Sequence, residues 1–166
     1  MLTHLSVRDL AVVDSVSVEF AGGLTGLTGE TGAGKSILID ALSLVLGSRS
    51  NAQMVRDGRD RAEVTALFEV ASDSQAAERL RSLELDDADG ELHLRRTLSA
   101  DGRSRAYVNG SPVPITTLRG LGRCLIEIHG QHEHQSLMDS AVQRDVLDAF
   151  GEHDTLLAKV GNAFHA

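Results

Sequence analysis

"GETGAGKS", residues 29–36, holds three glycines, one lysine and one serine in eight positions. It follows "LTGLT" (24–28) and precedes "ILIDALSLVL" (37–46). The stretch matches G-x-x-x-x-G-K-[ST] at every fixed position. Each requirement has a physical reason. Gly29, Gly32 and Gly34 let the backbone curl so that consecutive N–H groups point inward at phosphate oxygens. A helix beginning near Lys35 adds its positive end to the same place. Lys35 reaches the β- and γ-phosphates, and Ser36 offers its hydroxyl to Mg²⁺, which prefers hard oxygen ligands. The expected ligand is therefore a nucleoside triphosphate with Mg²⁺. Its expected contacts are Gly29, Glu30, Thr31, Gly32, Ala33, Gly34, Lys35, Ser36 and Ile37, with Ser36 on the metal. A glycine-rich turn that merely caps a helix is the bland alternative. It does not explain why a strand-like stretch enters and an amphipathic helix leaves. The motif names neither base nor reaction, because kinases, GTPases, motors and transporters all carry it.

The surroundings bound the remaining choices. The chain has 166 residues, enough for one domain or half of a larger one. Apolar residues make up 42% and aromatics 3%, so the core must be built from Leu, Val, Ile and Ala. Cys124 is the single cysteine, which excludes an internal disulfide and suits a reducing cytosol. No signal peptide is visible and no apolar run approaches the roughly 20 residues of a membrane span, so a cytoplasmic protein without membrane contact is expected. The net charge of −8 argues against a protein that coats nucleic acid electrostatically. Any such contact needs a local patch or another segment.

The pattern along the chain reads as α/β with an antiparallel flank. "LTHLSVRDL" and "VVDSVSVEF" alternate as strands. "LTGLT" reads as a short strand feeding the glycine loop. From Ser36, apolar residues recur at spacings of three and four, and Gly47 is the expected stop. "RAEVTALFEV" alternates again. "SQAAERLRSL" reads as a surface helix and "DDADGE" as an acidic turn. "ELHLRRTLSADGRSRAYVNGSPVP" suggests strands joined at "ADG" and turned again at "NG". "ITTLRGLG" reads as a short helix, "RCLIEIH" as a strand, and the tail from about Ser140 as one continuing helix.

Five stretches, "LSVRDLAVVDSVSVEF", "LTGETGAGKSILIDALSLVLGSRS", "VRDGRDRAEV", "RRTLSADGRSRAYVNG" and "IEIHGQHEHQSL", occur together and in order. With them the chain resembles the N-terminal part of the RecN family of bacterial DNA repair proteins, relatives of the structural maintenance of chromosomes (SMC) ATPases. The resemblance runs to about residue 150. It implies a P-loop NTPase of the ABC/SMC-head type, here the N-terminal lobe with a mixed β-sheet and an antiparallel β flank. Residues 1–150 would form the lobe, and 151–166 the start of a coiled-coil helix. The implied activity is ATP hydrolysis at a head–head interface, in recombinational repair of DNA double-strand breaks. The implied partners are the C-terminal half of the same head, a second head, and DNA. No "SGGE"-type signature occurs in the sequence, and "CLIEI" offers only Glu127, which reads as an ordinary polar position. The isolated chain is therefore expected to be inactive. A small P-loop kinase or GTPase is the alternative enzyme, although no N-K-x-D motif is present. A non-enzymatic module ordered by nucleotide is the third reading.

The same resemblance assigns roles to residues outside the loop. Gln131 becomes the glutamine whose amide ligates Mg²⁺ and orients the attacking water, so Lys35 and Gln131 are the expected catalytic pair. Arg8 is expected to approach the base or α-phosphate. His129, His132 and His134 have a spacing that zinc could use, but no cysteine or fourth ligand is near in sequence. They are read instead as bordering the nucleotide or orienting Gln131. Arg49 and Arg56 are candidates for nucleotide or DNA. Arg95, Arg96, Arg103 and Arg105 cluster on the proposed hairpin as the one local basic patch, balanced against the bland reading of a solvated strand face.

Overall fold

Alternation of apolar and polar residues builds the sheet. The structure, a computed structural model, describes residues 1–28, 34–85, 90–128 and 140–164. Six strands form one sheet: β1 (Leu2–Leu10), β2 (Val13–Glu19), β3 (Arg61–Glu69), β4 (Glu91–Ser99), β5 (Ser104–Val108) and β6 (Ser111–Val113). Their order is β2-β1-β3-β4-β5-β6 and every pairing is antiparallel. The register aligns Val7, Val64, Arg96 and Ala106 across four strands. Leu5, Ala66, Leu94 and Val108 form the next row. All eight side chains are buried. Neighbouring residues on a strand point to opposite faces, so Ser6, Arg8, Glu63, Thr65, Arg95, Arg105 and Tyr107 line the other face.

Helices cover the apolar face. α1 (Gly34–Val45) lies against β1, β3 and β4, burying Ile37, Ala41, Leu44 and Val45. α2 (Gln75–Ser82) starts at Ser74, whose Oγ accepts the Ala77 N–H at 3.2 Å. α3 (Ile115–Leu125) packs on α2 and β5. The β5–β6 turn is Asn109–Gly110, with φ of 47° and 80°. Both values lie in the left-handed region that a two-residue hairpin demands, as "NG" foretells.

Three sequence expectations need correction. "LTGLT" is not a strand: residues 24–28 carry no regular structure, and Leu24 and Leu27 are exposed. None of the six strands pairs with this stretch, and a strand without a neighbour leaves its backbone hydrogen bonds unmade. "RCLIEIH" is not a strand at its start: α3 runs on through Leu125, and residues 126–128 stay outside the sheet. Leu118, Leu121 and Gly122 are buried at helical spacing, and that periodic stripe overrides the local β propensity of the following residues. The tail is two helices, α4 (Ser140–Phe150) and α5 (Asp154–Phe164). The break holds Glu152 at φ 54°, which a continuing right-handed helix cannot accommodate. The expected acidic turn falls largely on residues 86–89, outside the described residues.

The chain divides into two compact units, Met1–Ile126 and Glu127–Ala166. In the second, Val146, Leu147, Phe150, Leu156, Leu157, Val160 and Phe164 are all exposed. They recur at spacings of three and four along α4 and α5, forming an apolar stripe on each helix.

Candidate phosphate-binding site

α1 begins at Gly34, directly behind the glycine loop, so Lys35 and Ser36 sit in its first turn. The first N–H groups of a helix have no intrahelical acceptor, which makes this end positive. No acidic side chain lies in that turn to compete for it. Lys35 is half-buried, Ser36 is exposed, and Ile37 is buried against the core. A half-buried lysine, an exposed serine and a row of amide donors suit a Mg²⁺-bound polyphosphate. Ile37 anchors the helix, so its expected nucleotide contact can involve only its backbone. Gly29, Glu30, Thr31, Gly32 and Ala33 lie outside the described residues, as do Gln131, His129, His132 and His134.

The other end of α1 has no basic residue in its last turn. The fold supplies two from elsewhere. Arg96 of β4 is 2% exposed and donates from Nη1 to the Leu44 carbonyl at 3.3 Å. Its Nε donates to Ser104 Oγ at 2.6 Å and its Nη2 to Ser50 Oγ at 3.4 Å. Arg119 of α3 donates from Nε to the Gly47 carbonyl at 3.1 Å. Burial, and then the Arg119 charge, hold the Arg96 guanidinium below the ordinary arginine pKa. Two cations thus face the carbonyl end of the helix whose amide end faces the loop, the favourable sense for a helix dipole.

The expected basic patch separates into two parts. Arg95 and Arg105 belong to the polar face, whereas Arg96 belongs to the core, because successive strand residues alternate. Arg95 stacks 4.2 Å from the Tyr107 ring centroid and lies 4.0 Å from a Glu63 carboxylate oxygen. Arg103, at the turn, pairs with Asp101 at 3.1 Å. Arg8 is exposed on the polar face, between Ser15 and Glu63, and is turned away from the face that α1 covers. Arg61 joins the same face, a position that residue patterning had not singled out.

Arg49 is exposed, and Arg56 is tied to the β1–β2 turn. Its Nη1 donates to the Val12 carbonyl at 2.6 Å and its backbone N–H to the Asp9 carbonyl at 2.9 Å. Arg59 bridges Asp9 at 3.1 Å and Asp14 at 3.0 Å. The turn they hold has Asp9 at φ 51° and Ala11 at φ 48°. Among the described residues, no group of three His, Cys, Asp or Glu could hold a metal, and no helix is long and apolar enough to cross a membrane.

Comparison with known proteins places this geometry. A family model described as an AAA domain matches residues 4–155. The DNA repair protein RecN of Vibrio cholerae is 48% identical over 164 residues, covering 99% of this chain and 29% of that protein. The Bacillus subtilis protein of the same name is 43% identical over 150 residues, covering 90% of this chain and 26% of its own length. The chain therefore spans under a third of the curated relatives it matches. A solved structure from a study of ATP-driven dimerization and DNA-stimulated activation of SMC ATPases superposes with a TM-score of 0.64 at 21% identity. It covers 89% of this chain and 97% of its own. The recombination mediator RecF bound to an ATP analogue superposes at 0.57 with 18% identity, covering 71% of this chain and 29% of that one. At these identities the structural likenesses speak to fold alone.

Proposed function

This chain belongs to the AAA-domain family, and from that premise we propose that it is the ATP-binding half of an SMC-like ATPase head in a RecN-type DNA repair protein. The observation that carries the proposal is α1 starting at Gly34, with Lys35 and Ser36 in a first turn free of acidic side chains. Lys35 neutralises the β- and γ-phosphates, and the first-turn amides of α1 hold phosphate oxygens in place. The Ser36 hydroxyl and the Gln131 amide oxygen are the groups that would hold Mg²⁺. When bound, the ion supplies charge neutralisation between the phosphates. Gln131 orients the attacking water, a task for a neutral amide that can move with loop closure. A second head closes over the nucleotide, and hydrolysis lets the two part.

The C-terminal half of the head completes the site. Leu24, Leu27 and Ile39 are exposed on and before the phosphate-loop helix, and α4 and α5 each carry an exposed apolar stripe. Exposed apolar clusters of this kind suit a permanent protein partner. Co-expression with the C-terminal half is expected to yield a stable complex with a raised melting temperature and steady ATPase activity. The isolated chain should self-associate or lose helical signal and show no turnover. An ordered, monomeric isolated chain that hydrolyses ATP by itself would contradict the division of labour.

DNA is assigned to the polar face of the sheet. Arg8, Arg61, Arg95 and Arg105 gather there around Glu63, with Glu19, Glu69 and Glu91 toward the other end of the same face, on a protein whose net charge is −8. Replacing Arg8, Arg61 and Arg105 by Ala is expected to weaken duplex binding about tenfold or more near 0.1 M salt. The slope of log affinity against log salt should shrink by about 2–3, since each phosphate contact contributes roughly 0.9. Unchanged affinity and slope would remove DNA from this face. Arg8→Ala alone separates its two readings: a loss of ATP affinity assigns Arg8 to the nucleotide, a loss of DNA affinity to the sheet.

A further inference from the structure

We infer that the outer arc of α3, with Arg49 and Arg79 beside it, is a second surface for the phosphate backbone of duplex DNA, separate from the polar face of the sheet. The sequence holds 24 acidic residues among 166, yet none falls in 41–56 or in 102–126. The fold brings those two stretches together. A Cβ at Gly47 would lie 2.7 Å from the Arg119 backbone nitrogen, and a Cβ at Gly122 would lie 2.6 Å from the Leu46 carbonyl oxygen. Arg119 Nε also donates to the Gly47 carbonyl, so Arg49, two residues on, stands at the flank of α3.

Helical spacing settles which side of α3 carries the charge. Leu118, Leu121 and Gly122 are its buried stripe. At about 100° per residue, Arg123 follows Arg119 by about 40°, Thr116 lies about 60° from Arg119, and Gly120 about 100°. That arc is turned away from the buried stripe, and Thr116, Arg119 and Arg123 are exposed. Arg79 of α2 completes it. Its Nη2 is 3.4 Å and its Nε 3.9 Å from the position a Gly120 Cβ would take, so its guanidinium lies over that glycine. Arg49 and Arg79 are exposed as well. Among the described residues, none of the four arginines forms an ion pair with a carboxylate, the adjacent Glu78 included. Four cations along one arc, without carboxylates to neutralise them, create a local field that attracts a polyanion even on a chain of net charge −8.

Two features favour nucleic acid over an acidic protein. No exposed large apolar side chain lies on α2 or α3, whereas a protein interface centres on apolar and aromatic anchors. All four cations are arginines, whose planar fork of donors matches phosphate oxygens, and Thr116 adds a hydroxyl of the kind that bonds a phosphate backbone. α3 packs on the apolar side of the sheet, so this surface and the polar-face residues Arg8, Arg61 and Arg105 can be removed independently.

The test replaces Arg49, Arg79 and Arg123 together by Gln in the complete protein, leaving the Arg119 bond to Gly47 in place. The three side chains make no hydrogen bond among the described residues, so the melting temperature should stay within about 2 °C of the wild type. Affinity for a mixed-sequence duplex should fall about tenfold or more at about 0.1 M salt, and the slope of log affinity against log salt should shrink by about 2–3. Combined with the sheet-face replacements, the two losses should multiply. Unchanged duplex affinity and slope overturn the inference. So does a loss of polyglutamate binding with duplex binding intact, which assigns the surface to an acidic protein. If the triple variant does not fold, modification of wild-type arginines by phenylglyoxal decides. Protection of Arg79 and Arg123 by the duplex upholds the inference, and equal modification with and without it overturns it. A complete protein that binds no duplex overturns this surface and the sheet-face assignment together, whereas a loss confined to one set of variants tells them apart.

Discussion

Lys35→Ala should lower ATP affinity by about a hundredfold, the loss of roughly 2–3 kcal/mol expected when a charge-assisted phosphate contact is removed. Lys35 is the only cation in residues 29–36, and it stands in the first turn of α1, which contains no acidic residue. Ala is at least as good a helix former as Lys, so the nucleotide-free protein should melt within about 2 °C of the wild type. Ligand that binds the folded state raises the melting temperature by mass action. ATP with Mg²⁺ should therefore stabilise the wild type and leave the mutant nearly unmoved. Calorimetric titration and paired melting curves measure both quantities. Equal ATP affinity in the two proteins would refute the phosphate-binding role.

Arg96→Ala should destabilise the fold by about 3 kcal/mol, a fall of roughly 10 °C in melting temperature for a unit of this size. Arg96 is 2% exposed and donates to three neutral oxygens: the Leu44 carbonyl, Ser50 Oγ and Ser104 Oγ. A buried cation is tolerated here because those oxygens include a carbonyl at the negative end of α1. Ala leaves all three without that donor and opens a cavity where the guanidinium stood. Arg96→Lys keeps the charge but cannot span three acceptors, and should fall between. Arg95→Ala is the contrast, one residue away on the solvent face, where about 0.5–1 kcal/mol is the expected limit. Denaturant unfolding of the three variants checks this. Similar small losses at positions 95 and 96 would show that Arg96 does not hold α1.

Much of this was legible beforehand. The helix behind the glycine loop, the "NG" hairpin and the alternating strands all follow from local rules acting within a few residues. Even the burial of Arg96 left a trace: in "ELHLRRTLS" it shares parity with Leu92, Leu94 and Leu98, so the alternation places it in the core. What the alternation could not say is why a cation is stable there. Its acceptors lie 52, 46 and 8 residues away in the chain.

The misread segments fail for the same reason. "LTGLT" has the composition of a strand, but a strand exists only if a neighbour pairs with it. "RCLIEIH" has a β-like run, but α3 is extended through Leu125 by the stripe that Leu118, Leu121 and Gly122 bury. The tail helix divides at Glu152, where backbone conformation interrupts an otherwise periodic pattern. Sequence by itself determined where the phosphate-loop motif lies and the helix that follows it, through spacing and residue chemistry that need only local backbone geometry. Only the tertiary structure decided which arginines face solvent and which brace α1, because those depend on register and close approach between segments far apart in the chain.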